Sequence, residues 1–166
     1  MPYDGRALAN LLLDLADVRS MPLTNMTIQK LLYYAHGWHL AASGIALVED
    51  GFEAWPHGPV SRVVYNAFKR AGDRPIRARA EAMDIVTGCT SVALCSPTEE
   101  ESRLLVNVLD ALGHLHAFEL SRMTHERGSP WDQIWNATSG RVTPGMHIPD
   151  QLIRTEFLKS RSQRLN

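Results

Sequence analysis

From Asp4 to Ser20, Leu8, Leu11, Leu12 and Leu15 recur at helical spacing while Asp14, Asp17 and Arg19 fall on other faces, which predicts an amphipathic first helix. It ends before Met21-Pro22, because a residue preceding proline is pushed out of the α region. A second helix is predicted from Thr24 to Ser43, with Ile28, Leu31, Leu32, Ala35 and Trp38 on one broad apolar face and Gly44 as its stop. That stripe is wide enough to place the helix in the core. The period then changes: Phe52 and Ala54 alternate with Glu53 and Trp55, predicting a short extended piece held to an edge or end by Pro56. Gly58-Pro59 is read as opening a third helix, proline being tolerated at a first helical position, and Val60, Val63, Val64, Ala67 and Phe68 carry it to Gly72.

Between Asp73 and Ser96 the pattern predicts a loop and then a small β-ribbon, from Ile85-Val86 and the run Ser91 to Cys95 around Thr87-Gly88. Ser96-Pro97-Thr98-Glu99 predicts a helix start, with Ser96 as cap, Pro97 at the first position and Glu99 at the third. Leu104, Leu105, Val108, Leu109 and Leu112 form its apolar face, and Gly113 breaks or bends it. A shorter helix follows from Phe118 to Glu126. Ser129-Pro130-Trp131-Asp132 repeats the capping chemistry for another helix through about Thr138, followed by a Gly140 to Gly145 loop. Ile148-Pro149-Asp150 opens the last helix, carrying Leu152, Ile153, Phe157 and Leu158, with a basic tail around Arg154, Lys159, Arg161 and Arg164 read as solvated. No internal repeat or low-complexity linker interrupts the chain. The expected fold is mainly α, one compact domain over residues 1–166 with about six or seven helices and a small β-ribbon, residues 148–166 forming a C-terminal helix and tail.

Composition narrows the class. With 166 residues, 45% of them hydrophobic, a chain of this size can bury a core without disulfides or a metal. Seventeen Lys and Arg against 18 Asp and Glu give a net charge of −1, which excludes a generic polyanion binder. Cys89 and Cys95 match neither a disulfide framework nor a zinc spacing, and no leader or membrane-spanning run is read, so the expectation is a cytoplasmic protein.

Candidate chemistry is sparse. His36 and His39 sit three apart on the second helix, but His57, His114, His116, His125 and His147 add no recognisable ligand spacing, so no metal or cofactor is expected. No nucleophile elbow, phosphate loop or dinucleotide fingerprint is present, which disfavours an enzyme; a histidine-dependent metalloenzyme stays as a remote alternative. Arg62, Lys69, Arg70, Arg74, Arg77 and Arg79 face the single carboxylate of Asp73 within one segment. This basic stretch suits a solvated face or an acidic protein partner better than nucleic acid, given the overall charge; a DNA-binding regulator is the alternative. Tyr34/Trp38 and Trp131/Trp135 are spaced to share helix faces, and exposed Trp and Tyr would mark a protein-binding surface.

Three stretches together carry a family resemblance: Leu23 to Ala41 (LTNMTIQKLLYYAHGWHLA), Phe52 to Val60 (FEAWPHGPV) with Val64-Tyr65, and Leu120 to His125 followed by Pro130-Trp131. Over roughly residues 5–136 the chain resembles the Panacea domain, the family of SocA-like antitoxins and GepA-like phage-associated proteins. The resemblance implies a bacterial or prophage antitoxin that neutralises a toxin encoded by a neighbouring gene through direct protein contact. It further implies, as in SocA, a proteolytic adaptor that delivers the toxin to an AAA+ protease. The residues carrying it are Lys30, Tyr33, Tyr34, Trp38, Trp55, His57, Gly58, Pro59, Val60, Tyr65, His125 and Trp131. They have two readings, as a scaffold that sets the crossing of the second and third helices and docks the late helix, or as direct toxin contacts; the scaffold role is favoured.

Overall fold

Asp4 caps the first helix, Gly5–Val18 (α1), its carboxylate accepting from the Arg6 amide at 2.8 Å. Leu8 and Leu12 are fully buried on its inner face, each such side chain adding about 1.5–3 kcal/mol by leaving water. Thr24 caps the second helix, Asn25–Ser43 (α2), and Gly44 at φ +74° closes it in the left-handed conformation. Thirteen of the nineteen α2 residues are buried, more than the single stripe of a surface helix. The reason is tertiary. Helices α1, Arg62–Phe68 (α3), Glu99–Leu112 (α4), Ala117–Thr124 (α5) and Asp150–Arg164, the last helix, all pack on α2. The structure, a computed structural model, describes residues 1–137 and 146–164. Among these, seven helices form a mainly α architecture with two small antiparallel sheets.

The strand Phe52–Trp55 (β1) forms where alternation predicts it, with Phe52 and Ala54 buried. It lies in the middle of its sheet, between Gly58–Val60 (β2) and Met146–Ile148. Pro56 therefore sits at its end, in the turn to β2. The third helix does not open at Gly58-Pro59: these residues pair with Trp55 and Ala54 as β2, and α3 begins only at Arg62. Proline is tolerated here because β2 is an edge strand. Gly58, at φ +104°, supplies the conformation that lets the chain reverse within two residues.

The ribbon exists, but its strands are Glu81–Met83 (β3) and Thr90–Val92 (β4). Ile85 and Val86, expected in its first strand, lie exposed in the turn, where the Asp84 carboxylate accepts from the Val86 and Thr87 amides. Asn10 ties the ribbon's base to α1 by donating to Ala80 and Ala93 carbonyls and accepting from the Ala80 amide. The cap of α4 is Thr98, not Ser96: Thr98 and Glu101 form a reciprocal capping box two residues further on, and Gly113 follows the last residue. The helix Pro130–Ala137 (α6) starts where Ser129-Pro130 predicts, with the Ser129 hydroxyl accepting from the Asp132 amide. Its expected end at Thr138 and the Gly140 to Gly145 loop lie outside the described residues. Met146–Ile148 (β5) was not expected; three residues are too short to show a period, and they extend because β1 offers an edge.

The last helix, Asp150–Arg164 (α7), crosses α2 at Gly37. The Phe157 ring sits against the Gly37 backbone, where a Cβ would overlap it, and the rings of Tyr33, Tyr34 and Trp38 approach Phe157 edge-on with centroids 5.9, 5.8 and 5.0 Å away. Arg154, expected in a solvated tail, instead donates to the Leu40 carbonyl near the C-terminus of α2, where a cation is favoured. Gly37→Ala should therefore destabilise the protein by about 1–3 kcal/mol despite alanine's better helix propensity. In urea unfolding, adding Phe157→Leu to it should recover part of the loss.

Candidate functional site

Five polar side chains of α2 are buried, and four of them, Asn25, Gln29, Lys30 and His36, take hold of segments outside the helix. Gln29 accepts from the Ser61 amide at 2.8 Å and donates to Asn25, whose own amide donates to the Tyr65 carbonyl at 3.3 Å. Lys30 is fully enclosed and donates to the Pro59 carbonyl at 2.9 Å. His36 accepts from the Val48 amide through Nδ1, which leaves Nε2 to donate to Asp150 at 3.0 Å. That bond holds the Asp150 carboxylate below its ordinary range. With each ring nitrogen of His36 committed, and His39 placed against the Ile45 carbonyl and Glu101, the pair points to structure rather than to a ligand set. Among the described residues no three His, Cys, Asp or Glu are gathered as a metal site.

The turn from β1 to β2 is held from below by four side chains on three helices. Trp131 Nε1 of α6 donates to the Trp55 carbonyl at 2.8 Å, and Ser121 of α5 donates to the His57 carbonyl at 2.8 Å. His125, at the end of α5, places Nε2 3.0 Å from the Pro56 carbonyl while its ring tilts against Trp131 at 3.9 Å. Lys30 completes the set at Pro59. Gly58 is required by what lies under it as well as by its backbone: a Cβ there would meet Thr124 Oγ1 at 2.5 Å and Lys30 Nζ at 3.0 Å.

Above this support lies a cleft of about 240 Å³ whose lining includes Met26, Gln29, Lys30, Trp55, Tyr65 and Lys69. The Trp55 and Tyr65 rings are 4.8 Å apart and tilted, and Trp55 Nε1 donates to Glu53, itself gripped by Arg62 through Nε and Nη2 at 2.9 and 3.0 Å. His57 and Val60 also border the cleft. Tyr33, Tyr34 and Trp38 do not; they belong to the α2–α7 contact, where burial pushes the Tyr34 phenol up to about 12.

The basic segment divides. Arg62 is spent on Glu53, and Arg79 on Asp14 and Asp17 of α1. Lys69, Arg70, Arg74 and Arg77 are exposed, and no carboxylate pairs with them among the described residues. Lys69 lines the cleft next to Gly72, and Arg74 donates to the Ala71 and Arg70 carbonyls at the end of the short 3-10 turn Lys69–Ala71. Sequence reasoning passed over Gln29, Ser121 and Thr124 as site residues. A small hydroxyl on an amphipathic helix carries no signal until its backbone partner, 64 positions away for Ser121, is known.

The family model described as antitoxin SocA-like, Panacea domain, matches residues 28–132, which hold Lys30, the whole turn and its supports from α5 and α6. Antitoxin SocA of Caulobacter vibrioides is 38% identical over 154 residues, 93% of this chain and 82% of that protein. The chain belongs to the SocA-like Panacea family. No solved structure matches. Within this Panacea domain, the clamped turn and the cleft beside it are what the motif residues of three separate stretches build together.

Lys30 makes one property of that site measurable. Burial lowers its pKa from 10.5 to about 7, and no ion pair offsets the loss of hydration. Between these values the unfolded chain holds a proton that the folded chain has released, so stability rises with pH across this window, by up to about 1.4 kcal/mol per unit. Below about pH 7 the folded state carries the full cost of a buried ammonium. Lys30→Met should flatten this rise: urea midpoints of the wild type minus those of the variant should increase from pH 7 to pH 9.

Proposed function

We propose that this protein is the antitoxin of a toxin-antitoxin pair and acts in the cytoplasm, by binding rather than by catalysis, on a protein toxin encoded by a neighbouring gene. The observation that carries this reading is its likeness to antitoxin SocA across 93% of the chain. The site geometry supports it. Exposed aromatic surface and an uncompensated cation around a cleft, next to a turn fixed by four side-chain hydrogen bonds, are suited to protein recognition. The Lys30 amine, although its pKa approaches neutrality, is enclosed and bonded to Pro59, which does not favour a nucleophilic role. No described helix is long and apolar enough to cross a membrane.

Co-expression tests the reading. The neighbouring gene's product alone should arrest growth, and this chain should restore growth and co-purify with the toxin in a fixed ratio. Growth arrest that persists, with no co-purification, would reject it.

The same reading extends to delivery of the toxin to an AAA+ protease. Toxin half-life in cells should then shorten when this chain is present. A half-life unchanged by its removal would dismiss delivery and leave neutralisation standing.

A further inference from the structure

The cleft beside the clamped turn has a chemistry that selects its occupant. At about 240 Å³ it is smaller than the roughly 300–1,000 Å³ of sites that enclose small-molecule ligands, and it suits an anchoring side chain of a larger partner. Its apolar wall is Trp55 against Tyr65, and because Trp55 Nε1 is committed to Glu53, the ring rather than the N–H is on offer. Tyr65 is 36% exposed.

Charge completes the description. The lining contains one exposed cation, Lys69 in the wall, and neither Asp nor Glu. Arg70 and Arg74 follow Lys69 along the chain, exposed and without a carboxylate partner among the described residues. The two arginines of the basic segment that do have carboxylate partners, Arg62 and Arg79, are accounted for elsewhere. The turn that shapes the cleft is already ordered by four side-chain bonds to its carbonyls, so an incoming group need not supply the cost of ordering it.

We infer that this cleft is the anchor point for the toxin, taking an aromatic or aliphatic side chain against Trp55 and Tyr65 and a neighbouring Asp or Glu carboxylate toward Lys69. The inference rests on the antitoxin reading above. It competes with one other surface, the tip of the β3–β4 ribbon, where Ile85 and Val86 are 94% and 93% exposed. That tip is apolar, but it lacks the uncompensated charge and the clamped backbone of the cleft, which makes it the internal control.

The test uses the full chain and the purified product of the neighbouring gene, with dissociation constants from calorimetry at 50 and 500 mM NaCl. Tyr65→Ala should weaken binding by about tenfold or more, the level of an interface hot spot. Lys69→Glu should weaken it at low salt, with a difference from wild type that shrinks at high salt. The Ile85→Ser/Val86→Ser double variant should stay within about twofold of wild type. Lys69 is an exposed side chain bonded to Asn66, so its variant remains informative where Tyr65→Ala disturbs α3. Wild-type binding that both cleft variants retain would overturn the anchor and leave the antitoxin reading intact. Absence of wild-type binding would remove that reading and the anchor together.

Discussion

A helix buried on most of its surface cannot leave polar side chains unpaired, because each orphaned group costs about 1–3 kcal/mol, and more when charged. Helix α2 carries Asn25, Gln29, Lys30 and His36 into the interior, and the rest of the fold is arranged to answer them. The answers come from backbone outside α2: the Pro59 carbonyl of β2, the Ser61 and Val48 amides and the Tyr65 carbonyl of α3. His36 also reaches the Asp150 carboxylate at the start of α7. Each bond satisfies a side chain of α2 and ties another segment of the chain to that helix. The polar groups of the core thus fix where the irregular segments lie.

The turn between β1 and β2 shows this constraint at its most concentrated. A tight reversal brings several carbonyls close together, and here Trp131, His125, Ser121 and Lys30 meet four of them from three helices. The same bonds keep Trp55 and His57 in place at the rim of the cleft. Gly37 plays a comparable part at the other end of α2, admitting Phe157 so that α7 can lie close enough for Asp150 to reach His36. Stability and presentation are therefore coupled: weakening the interior bonds would loosen the surface that they support.

The charge distribution has the same logic. A run of six cations read along the chain is not one patch in space, since Arg62 and Arg79 anchor their segments to Glu53 and to α1. Lys69, Arg70, Arg74 and Arg77 remain as exposed charge, with Lys69 beside the aromatic pair Trp55 and Tyr65. This separates cations that hold the fold from cations that stay exposed and unpaired among the described residues.

What the chain determined by itself was local. The 3.6-residue period, the Gly44 stop and the Ser129-Pro130 start each depend on neighbours within a few positions, and each was legible. So was the family, because its motif residues keep their order along the sequence. Gly58-Pro59 was misread because a proline at a helix start and a proline on an edge strand look alike until β1 supplies a partner. Ser96 and Thr98 compete as caps, and the Glu101 carboxylate, which also accepts from the Tyr3 hydroxyl 98 positions away, favours Thr98. β5, the clamp from Ser121 and the partition of the basic segment rest wholly on long-range contacts. Tertiary structure decided these because a hydrogen bond or an ion pair has no sign in the sequence until folding brings both partners within about 3 Å.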